Sequence, residues 1–324
     1  MKSVRILATL LACSFPLCAT ADPAQHADTE TTPPAQATVP SSRTYTYVSA
    51  FNHERYGVDI FIPRGTPPPG GYPALYLLDG NVLFATFADA MHNKSNAGEV
   101  EPAVIVGIRS TDTPDGGDRT YDFTYSDMSP REKSIVVDLG DNPRFGGYND
   151  FFRAIEEEIR PAVGRIVPLD PNRAVLLGWS LGGLFVTHTM FVHPEAFHGY
   201  VALSPALWRN ERAVFSEIPQ FEQSVTSSGR RLSLFLGVGS LEEQISPGMR
   251  KWKIDQTKLA AEMEHGRMVG NARDMAKELG PFFQQKQLRF TFRLFDGETH
   301  NSAPWSAVNP VLDFEFPLNA DSER

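Results

Sequence analysis

The sequence predicts an α/β fold, in which a mostly parallel β-sheet carries helices on both faces. Short runs of consecutive apolar residues recur along the chain, and they are typical of strands that are buried on both sides. These runs alternate with segments of helical pattern, as a covered parallel sheet requires. With 324 residues, of which 41% are hydrophobic and 21% charged, the chain suits one large globular domain with an N-terminal leader.

The predicted elements follow one another in an order that fits this fold. We predict strands at residues 45–49, 58–63, 74–78, 103–108, 173–177, 200–203, 232–238 and 290–295. We predict helices after the third of these strands to about Met91, over residues 148–167, and from about 183 to 192. The first two strands suggest an antiparallel start. Residues 109–147 and 246–270 look too long and irregular for simple connections, and such loops usually shape a binding site.

The N-terminus has the pattern of a secretory leader. Lys2 and Arg5 precede a short apolar stretch, and Ala19-Thr20-Ala21 supplies the small residues that signal peptidase recognises. We therefore predict a signal peptide at residues 1–21 and export to the periplasm. An alternative is lipoprotein processing at Cys13, which would attach the chain to a membrane by a lipid.

The remainder divides into a linker, a domain and a short tail. Residues 22–43 are rich in Ala, Thr and Pro and have almost no large apolar groups, so we predict a flexible linker. Residues 44–318 then form the single α/β domain, and 319–324 a C-terminal tail. The apolar stretch of the leader is too short for a permanent anchor, and we expect no stable membrane insertion. The oligomeric state has no signal in the sequence.

Charge and cysteine content exclude several classes of function. The formal net charge is −9, and loss of Lys2 and Arg5 with the leader makes it −11. An acidic chain without basic runs is not expected to bind nucleic acid. The two cysteines, Cys13 and Cys18, both lie in the leader, so the mature chain has no cysteine nucleophile or disulfide. Without a zinc-type histidine motif or a phosphate-binding loop, we predict neither a metal nor a cofactor.

The strongest motif is Gly178-Trp179-Ser180-Leu181-Gly182, between a predicted strand and a predicted helix. This context is typical of a nucleophile elbow, in which a strained turn exposes the serine oxygen above the sheet. Ser180 is therefore the candidate nucleophile. We expect both flanking glycines to be required because a Cβ atom there would collide with neighbouring backbone. Gly183 extends the small patch where the helix approaches the strands.

A serine needs a base, and in this fold the acid and the histidine follow the serine along the chain. His300 comes after the last predicted strand and is the candidate base, whereas His265 lies in a charged, helix-like segment and is expected to be solvated. Glu242, after strand 232–238, is the candidate for the acid that orients the imidazole. Glu243 is an alternative acid, and a dyad without any acid is another. Asp296 and Glu298 are weaker candidates, because they lie close to His300 along the same turn.

Stabilising the oxyanion of acyl transfer requires two backbone N–H groups. Leu181 follows the nucleophile at a helix N-terminus and supplies one. The loop after strand 74–78 supplies the other, for which Asn81 is the candidate.

Four segments give the chain a resemblance to a known family: residues 77–81, 104–107, 178–185 and 239–242. Over about residues 45–316 it resembles the putative-esterase branch of the α/β-hydrolases, which includes trilactone esterases, feruloyl esterases, S-formylglutathione hydrolase and mycolyltransferases. The resemblance implies an α/β-hydrolase fold and a serine esterase. It also supports Asn81, because in this branch the residue after the Asp-Gly pair lends an oxyanion N–H.

Residues 119–124 narrow the resemblance, since they are similar to a segment of periplasmic catecholate-siderophore esterases of the enterobactin and salmochelin type. This implies a substrate that is a strongly anionic ferric catecholate. Arg119 would bind it at the rim of the cleft, although a structural ion pair of Arg119 with Asp122 or with another loop residue is an equal alternative. Trp179 and Trp305 are candidate aromatic walls of the site, and each is also an ordinary core residue.

The resulting hypothesis is a cofactor-free serine esterase that opens ester or lactone bonds of a ferric catecholate siderophore in the periplasm, aiding iron release. Two alternatives keep the same fold: a general or feruloyl-type carboxylesterase, and an acyltransferase. A third, of another class, is a siderophore-binding protein without catalysis.

Overall fold

One eight-stranded sheet organises the chain. The computed structural model describes residues 38–110, 119–125, 129–130, 144–251 and 255–318. The strands are β1 (Ser42–Val48), β2 (Arg55–Phe61), β3 (Tyr72–Leu78), β4 (Val104–Ser110), β5 (Leu169–Trp179), β6 (Gly199–Leu203), β7 (Ser233–Gly239) and β8 (Arg289–Phe295).

The sheet order is β1-β2-β4-β3-β5-β6-β7-β8, and it is mostly parallel as predicted. Only the pairs β1–β2 and β2–β4 are antiparallel, whereas the pairs from β4 through β8 are all parallel. The carboxyl ends of β3 and β5 to β8 therefore lie at one edge of the sheet. Polar residues that follow these strands can meet there.

The helices are distributed along the whole domain. Apart from the kinked segment Arg209–Arg212, the α-helices are α1 (Gly80–Asn96), α2 (Arg119–Asp122), α3 (Tyr148–Arg153), α4 (Arg160–Gly164), α5 (Leu181–Val192), α6 (Ile218–Ser228), α7 (Gln256–Gly266), α8 (Met268–Gln285) and α9 (Ala303–Glu315). A π-helical segment, Ala154–Ile159, joins α3 to α4. No helix in the described ranges is long and apolar enough to cross a membrane.

Strand β3 shows how helices cover both faces, because all seven of its residues are buried. Leu75 and Leu77 point into a core that the sheet shares with α1 and α9. Tyr76 and Leu78 point into the opposite core, shared with α3, α5, α6 and α8. Side chains alternate along a strand, so burial of every position requires a layer on each side. The sheet is thus the middle layer of three.

The boundaries of the domain differ a little from those predicted. Strand β1 begins at Ser42, so the folded part starts inside the predicted linker of residues 22–43. The predicted signal peptide at 1–21, the linker up to residue 37 and the tail at 319–324 lie outside the described residues.

The segment 246–270 is not the irregular loop that the sequence suggested. It contains α7 and the start of α8, and the Asp255 side chain caps α7 by accepting hydrogen bonds from the backbone N–H groups of Thr257 and Lys258. Gly266 is the only buried residue of α7. The helix therefore lacks the apolar stripe from which a helix is recognised in a sequence.

A buried carboxyl group lies at the amino edge of the sheet, where α9 ends. Glu315 is 5% exposed, and its Oε2 accepts a hydrogen bond from the Ser233 hydroxyl at 2.8 Å. Gly199 provides the space, because a Cβ atom there would stand 2.7 Å from Oε2. Burial raises the pKa of Glu315 to about 7, although Arg289 and the Ser233 hydrogen bond oppose the rise.

The Glu315 pKa leads to a prediction about pH and stability. The pKa of Glu315 is about 7 in the folded chain and near 4.3 in an unfolded one. The folded state thus keeps a proton that the unfolded state loses, and stability falls as pH rises from about 4.5 to 7. Glu315→Gln removes this loss. We therefore expect the free energy of unfolding of the variant, minus that of the wild type, to rise by up to ~3 kcal/mol between pH 4.5 and pH 8.

Urea denaturation of both proteins at pH 4.5, 6 and 8 measures this gain. A difference between variant and wild type that stays constant with pH would show that Glu315 does not titrate between the two values.

Candidate active site

Ser180 occupies a strained turn between β5 and α5. Its backbone angles are φ 61° and ψ −117°, outside the regions that residues with a side chain usually adopt. The Ser180 N–H donates to the Leu203 carbonyl at 3.0 Å, and the Ser180 carbonyl accepts from Ala206 N–H at 3.0 Å. These bonds to the end of β6 hold the turn in place, as the nucleophile elbow requires.

The glycines around Ser180 have different roles. A Cβ atom on Gly178 would lie 2.2 Å from the Gly182 carbonyl oxygen, so this position requires glycine. A Cβ on Gly183 would lie 2.9 Å from Pro205 Cα, which confirms the close approach of the helix to β6. The expected backbone collision at Gly182 is wrong. Its nearest neighbour would be Asp79 Oδ2 at 3.4 Å, an ordinary contact.

His300 follows β8 and reaches the nucleophile. Its Nε2 lies 3.0 Å from Ser180 Oγ. The Trp179 indole donates a hydrogen bond to the His300 carbonyl at 3.0 Å, and the two rings are 5.1 Å apart. Trp179 therefore contacts the histidine itself. The other histidine considered, His265, lies in α7 beside Trp208, and its Nε2 is buried, not solvated as expected.

Glu242 lies on the other side of the imidazole. Its Oε2 is 2.7 Å from His300 Nδ1, and its side chain is fully buried. Its Oε1 accepts hydrogen bonds from Gly239 N–H at 2.7 Å and from the Ser204 hydroxyl at 2.5 Å. Glu243 is exposed and accepts instead from Gly270 N–H at 2.8 Å. The structure thus brings Glu242 and not Glu243 to the histidine.

Ser204 is a site residue that the sequence reasoning missed. It is fully buried after the end of β6, has φ 42°, and donates its N–H to the Gly237 carbonyl at 2.6 Å. Its hydroxyl fixes the Glu242 oxygen that does not face the imidazole. Its position after a predicted strand at residues 200–203 was the available signal, since polar residues after neighbouring parallel strands meet at one edge.

The two candidate oxyanion donors lie after neighbouring strands. In the β3–β5 pairing Leu77 is opposite Leu177, so Asn81 and Leu181 each stand four residues beyond a paired position. Both residues lie in the first turn of a helix, α1 and α5 respectively. The N–H groups of a first turn have no acceptor inside the helix, and the helix dipole adds positive charge there. The arrangement suits an anionic oxygen next to Ser180.

Arg119 makes an ion pair next to these donors. Its Nε and Nη2 donate to the two oxygens of Asp79 at 2.6 and 2.8 Å, and Nη2 also donates to the Trp179 carbonyl at 3.0 Å. The ion pair that the sequence left as an alternative is therefore made, but with Asp79 and not with Asp122. Asp122 instead accepts a hydrogen bond from the Tyr56 hydroxyl at 3.2 Å.

Trp305 lies in the first turn of α9, five residues after His300, and is 42% exposed. Trp305 is therefore not an ordinary core residue, which was the alternative to its being an aromatic wall of the site. In the described ranges, the active site included, no three His, Cys, Asp or Glu side chains are grouped so that they could hold a metal ion.

Comparisons with known proteins show the family of the chain. A model of the Putative esterase family matches residues 49–277. The ferri-bacillibactin esterase BesA of Bacillus subtilis is 31% identical over 284 residues, which cover 86% of this chain and 90% of the relative. The siderophore enterobactin esterase of Emericella nidulans is 31% identical over 261 residues, or 76% of this chain and 83% of the relative.

Among solved structures, the BES protein from Bacillus cereus is similar with a TM-score of 0.73 and 27% identity, over 89% of this chain and all of that one. The eight-stranded, mostly parallel sheet with helices on both faces is the α/β-hydrolase fold. The chain belongs to the Putative esterase family and is a carboxylic-ester hydrolase.

Proposed function

We propose that this protein is a periplasmic serine esterase that cleaves ester or lactone bonds of a ferric catecholate siderophore. The observation that carries the catalytic part is the continuous hydrogen-bonded relay from Ser180 Oγ through His300 to Glu242, with distances of 3.0 and 2.7 Å. The siderophore part is supported by the similarity to a ferri-bacillibactin esterase and a siderophore enterobactin esterase. The leader-like residues 1–21 support export.

In the first half of the reaction, Ser180 Oγ attacks the ester carbonyl carbon while His300 Nε2 takes the hydroxyl proton. Glu242 accepts from Nδ1–H, which fixes the tautomer with a free Nε2 lone pair and stabilises the imidazolium that forms. The imidazolium then returns the proton to the leaving alkoxide oxygen as the C–O bond breaks. This step leaves an acyl group on Ser180.

In the second half, water takes the place of the serine. His300 accepts a water proton, the hydroxide oxygen bonds to the acyl carbon, and Ser180 leaves with the proton. In both halves the carbonyl oxygen becomes negative, and the N–H groups of Asn81 and Leu181 donate to it. A single donor of this kind is typically worth about 10²–10³ in rate.

Trp305 and Arg119 are the two residues that we propose to contact the siderophore. Trp305, five residues after His300, is exposed and offers an aromatic surface for a catechol ring. Arg119 is 28% exposed, so its guanidinium can face a ligand even though Asp79 and Trp179 hold two of its nitrogens. A catecholate complex is anionic, and Arg119 offers a charged group for it near the oxyanion donors.

The serine assignment is tested with Ser180→Ala and ferric enterobactin as substrate. We expect product formation to fall by at least about 10³-fold because the nucleophile is lost. Mass spectrometry of the products measures this, and Ser216→Ala is the matched control, since Ser216 is exposed and bonds only locally.

Undiminished hydrolysis by Ser180→Ala would show that another group is the nucleophile. Wild-type protein that cleaves aryl esters but leaves the trilactone intact would indicate a general carboxylesterase. Transfer to an added alcohol in preference to water would indicate an acyltransferase, and tight binding without hydrolysis a carrier.

The acid assignment is tested with a pair of adjacent substitutions. Glu242→Gln should lower kcat by about 10²–10⁴-fold, because a neutral amide stabilises neither the required tautomer nor the imidazolium. Glu243→Gln should leave kcat within about twofold, since that carboxylate contacts Gly270 on the surface. Steady-state kinetics on an aryl ester measure both. A Glu242→Gln protein that keeps the kcat of the wild type would mean that His300 works without Glu242.

Ser204 is tested as a residue that positions Glu242. Ser204→Ala removes one of the two hydrogen bonds to Glu242 Oε1, and we expect kcat to fall about tenfold with KM little changed. The matched control is Ser233→Ala, because Ser233 is equally buried and donates to Glu315 at the opposite edge.

Both serine variants should lose similar thermal stability, and only Ser204→Ala should lose kcat. An unchanged kcat in Ser204→Ala, or a matching loss in Ser233→Ala, would contradict a positioning role.

A further inference from the structure

Arg119 connects the two chain segments that lead to the oxyanion donors. Its guanidinium makes two hydrogen bonds to the carboxylate of Asp79, the residue that precedes α1. The same guanidinium donates to the carbonyl of Trp179, the last residue of β5. One planar group thus bonds to the segment before Asn81 and to the segment before Leu181.

The two bonded positions are equivalent in the sheet. Among the described residues, the β3–β5 pairing ends with Leu77 opposite Leu177. Asp79 and Trp179 each come two residues later, where β3 and β5 no longer pair with each other and the chain leads into α1 and α5. Asp79 and Trp179 each lie two residues before a candidate oxyanion donor, Asn81 and Leu181 respectively. Arg119 bridges Asp79 and Trp179 directly.

The Asp79 side chain also reaches the nucleophile helix. A Cβ atom on Gly182 would stand 3.4 Å from Asp79 Oδ2, so the carboxylate packs against the first turn of α5. Asp79 is 7% exposed and has a left-handed backbone with φ 57°. A buried carboxylate on a strained turn requires a partner, and the two-bond geometry of arginine supplies one with a fixed orientation.

We propose that Arg119 is a positioning residue for the oxyanion hole, which it holds together by fastening Asp79 to the Trp179 carbonyl. The proposal rests on the proposed function only for acyl transfer at Ser180, and not for the choice of substrate. It differs from the role of a cation that binds an anionic substrate. That role would act on binding, whereas a loosened oxyanion hole slows the chemical step for every ester.

Arg119→Lys separates these roles because lysine keeps the charge but cannot make the two parallel bonds. With p-nitrophenyl acetate, a neutral ester, we expect kcat to fall about tenfold or more and KM to stay within about twofold. The loss in kcat should be smaller than the about 10²–10³-fold loss from removing an oxyanion donor, because the donors are displaced and not removed. The inhibition constant of phenylboronic acid, which forms a tetrahedral adduct with serine, should rise by a similar factor.

Arg173→Lys is the matched control. Arg173 also makes two hydrogen bonds to one carboxylate, Glu101, at 2.7 and 2.6 Å, and the exposures of 32% and 18% are comparable with 28% and 7% for Arg119 and Asp79. It lies in the amino-terminal half of β5, away from Ser180. We expect this control to retain kcat and boronate affinity.

Asp79→Asn tests the other half of the pair and keeps the shape of the side chain. It should lower kcat on the neutral ester as Arg119→Lys does, and the double variant should be no slower than the slower single variant, because both break one connection. Circular dichroism melting curves identify any variant that has not folded, and the remaining variant of the pair then carries the test.

Two results would overturn the proposal. One is an Arg119→Lys protein with wild-type kcat on the neutral ester. If its KM for ferric enterobactin is raised as well, Arg119 binds substrate, and the proposed function stays intact. The other is an equal loss of kcat in Arg173→Lys. Failure of ferric enterobactin as a substrate would leave the neutral-ester result unaffected.

Discussion

The site depends on the backbone of Ser180, whose φ of 61° and ψ of −117° aim the hydroxyl away from the sheet. A conformation of this kind costs of order 1–3 kcal/mol and persists only where its surroundings impose it. Here the N–H and carbonyl of Ser180 are bonded to Leu203 and Ala206, and its carbonyl also accepts the Leu184 N–H of the following helix. Because Gly178 leaves room for the Gly182 carbonyl, the turn can be this tight.

The order of the strands then arranges the rest of the relay. From β3 to β8 across the sheet, the residues that follow the strand ends are Asn81, Ser180, Ser204, Glu242 and His300. Base and nucleophile come from strands that do not pair, since β6 and β7 lie between them. The imidazole crosses that gap with Ser180 on one nitrogen and Glu242 on the other. Ser204, just after the end of β6, donates its hydroxyl to the second oxygen of Glu242.

This order explains which parts could be predicted from the sequence. Ser180, His300 and Glu242 each follow an apolar run, and their chain order matches the fold, so local pattern and topology together were enough to choose them. Ser204 also follows a predicted strand, but no local pattern indicates its contact with Glu242, 38 positions away. The same holds for the Arg119–Asp79 pair, whose residues are 40 positions apart. Helix α7 was recognised only as a helix-like segment around His265, because Gly266 is its one buried residue and no apolar stripe marks its bounds.

The two buried carboxylates of the site differ in how their charges are balanced. Asp79 has a permanent cation, Arg119, and the pair has no net charge to change during the reaction. Glu242 is held by neutral donors, Ser204 and Gly239 N–H, and meets a full positive charge only when His300 takes the proton. An interaction that strengthens only as the transition state forms lowers the barrier, whereas a constant one does not. Glu242 can therefore contribute directly to the rate, and Asp79 only through the position of the groups around it.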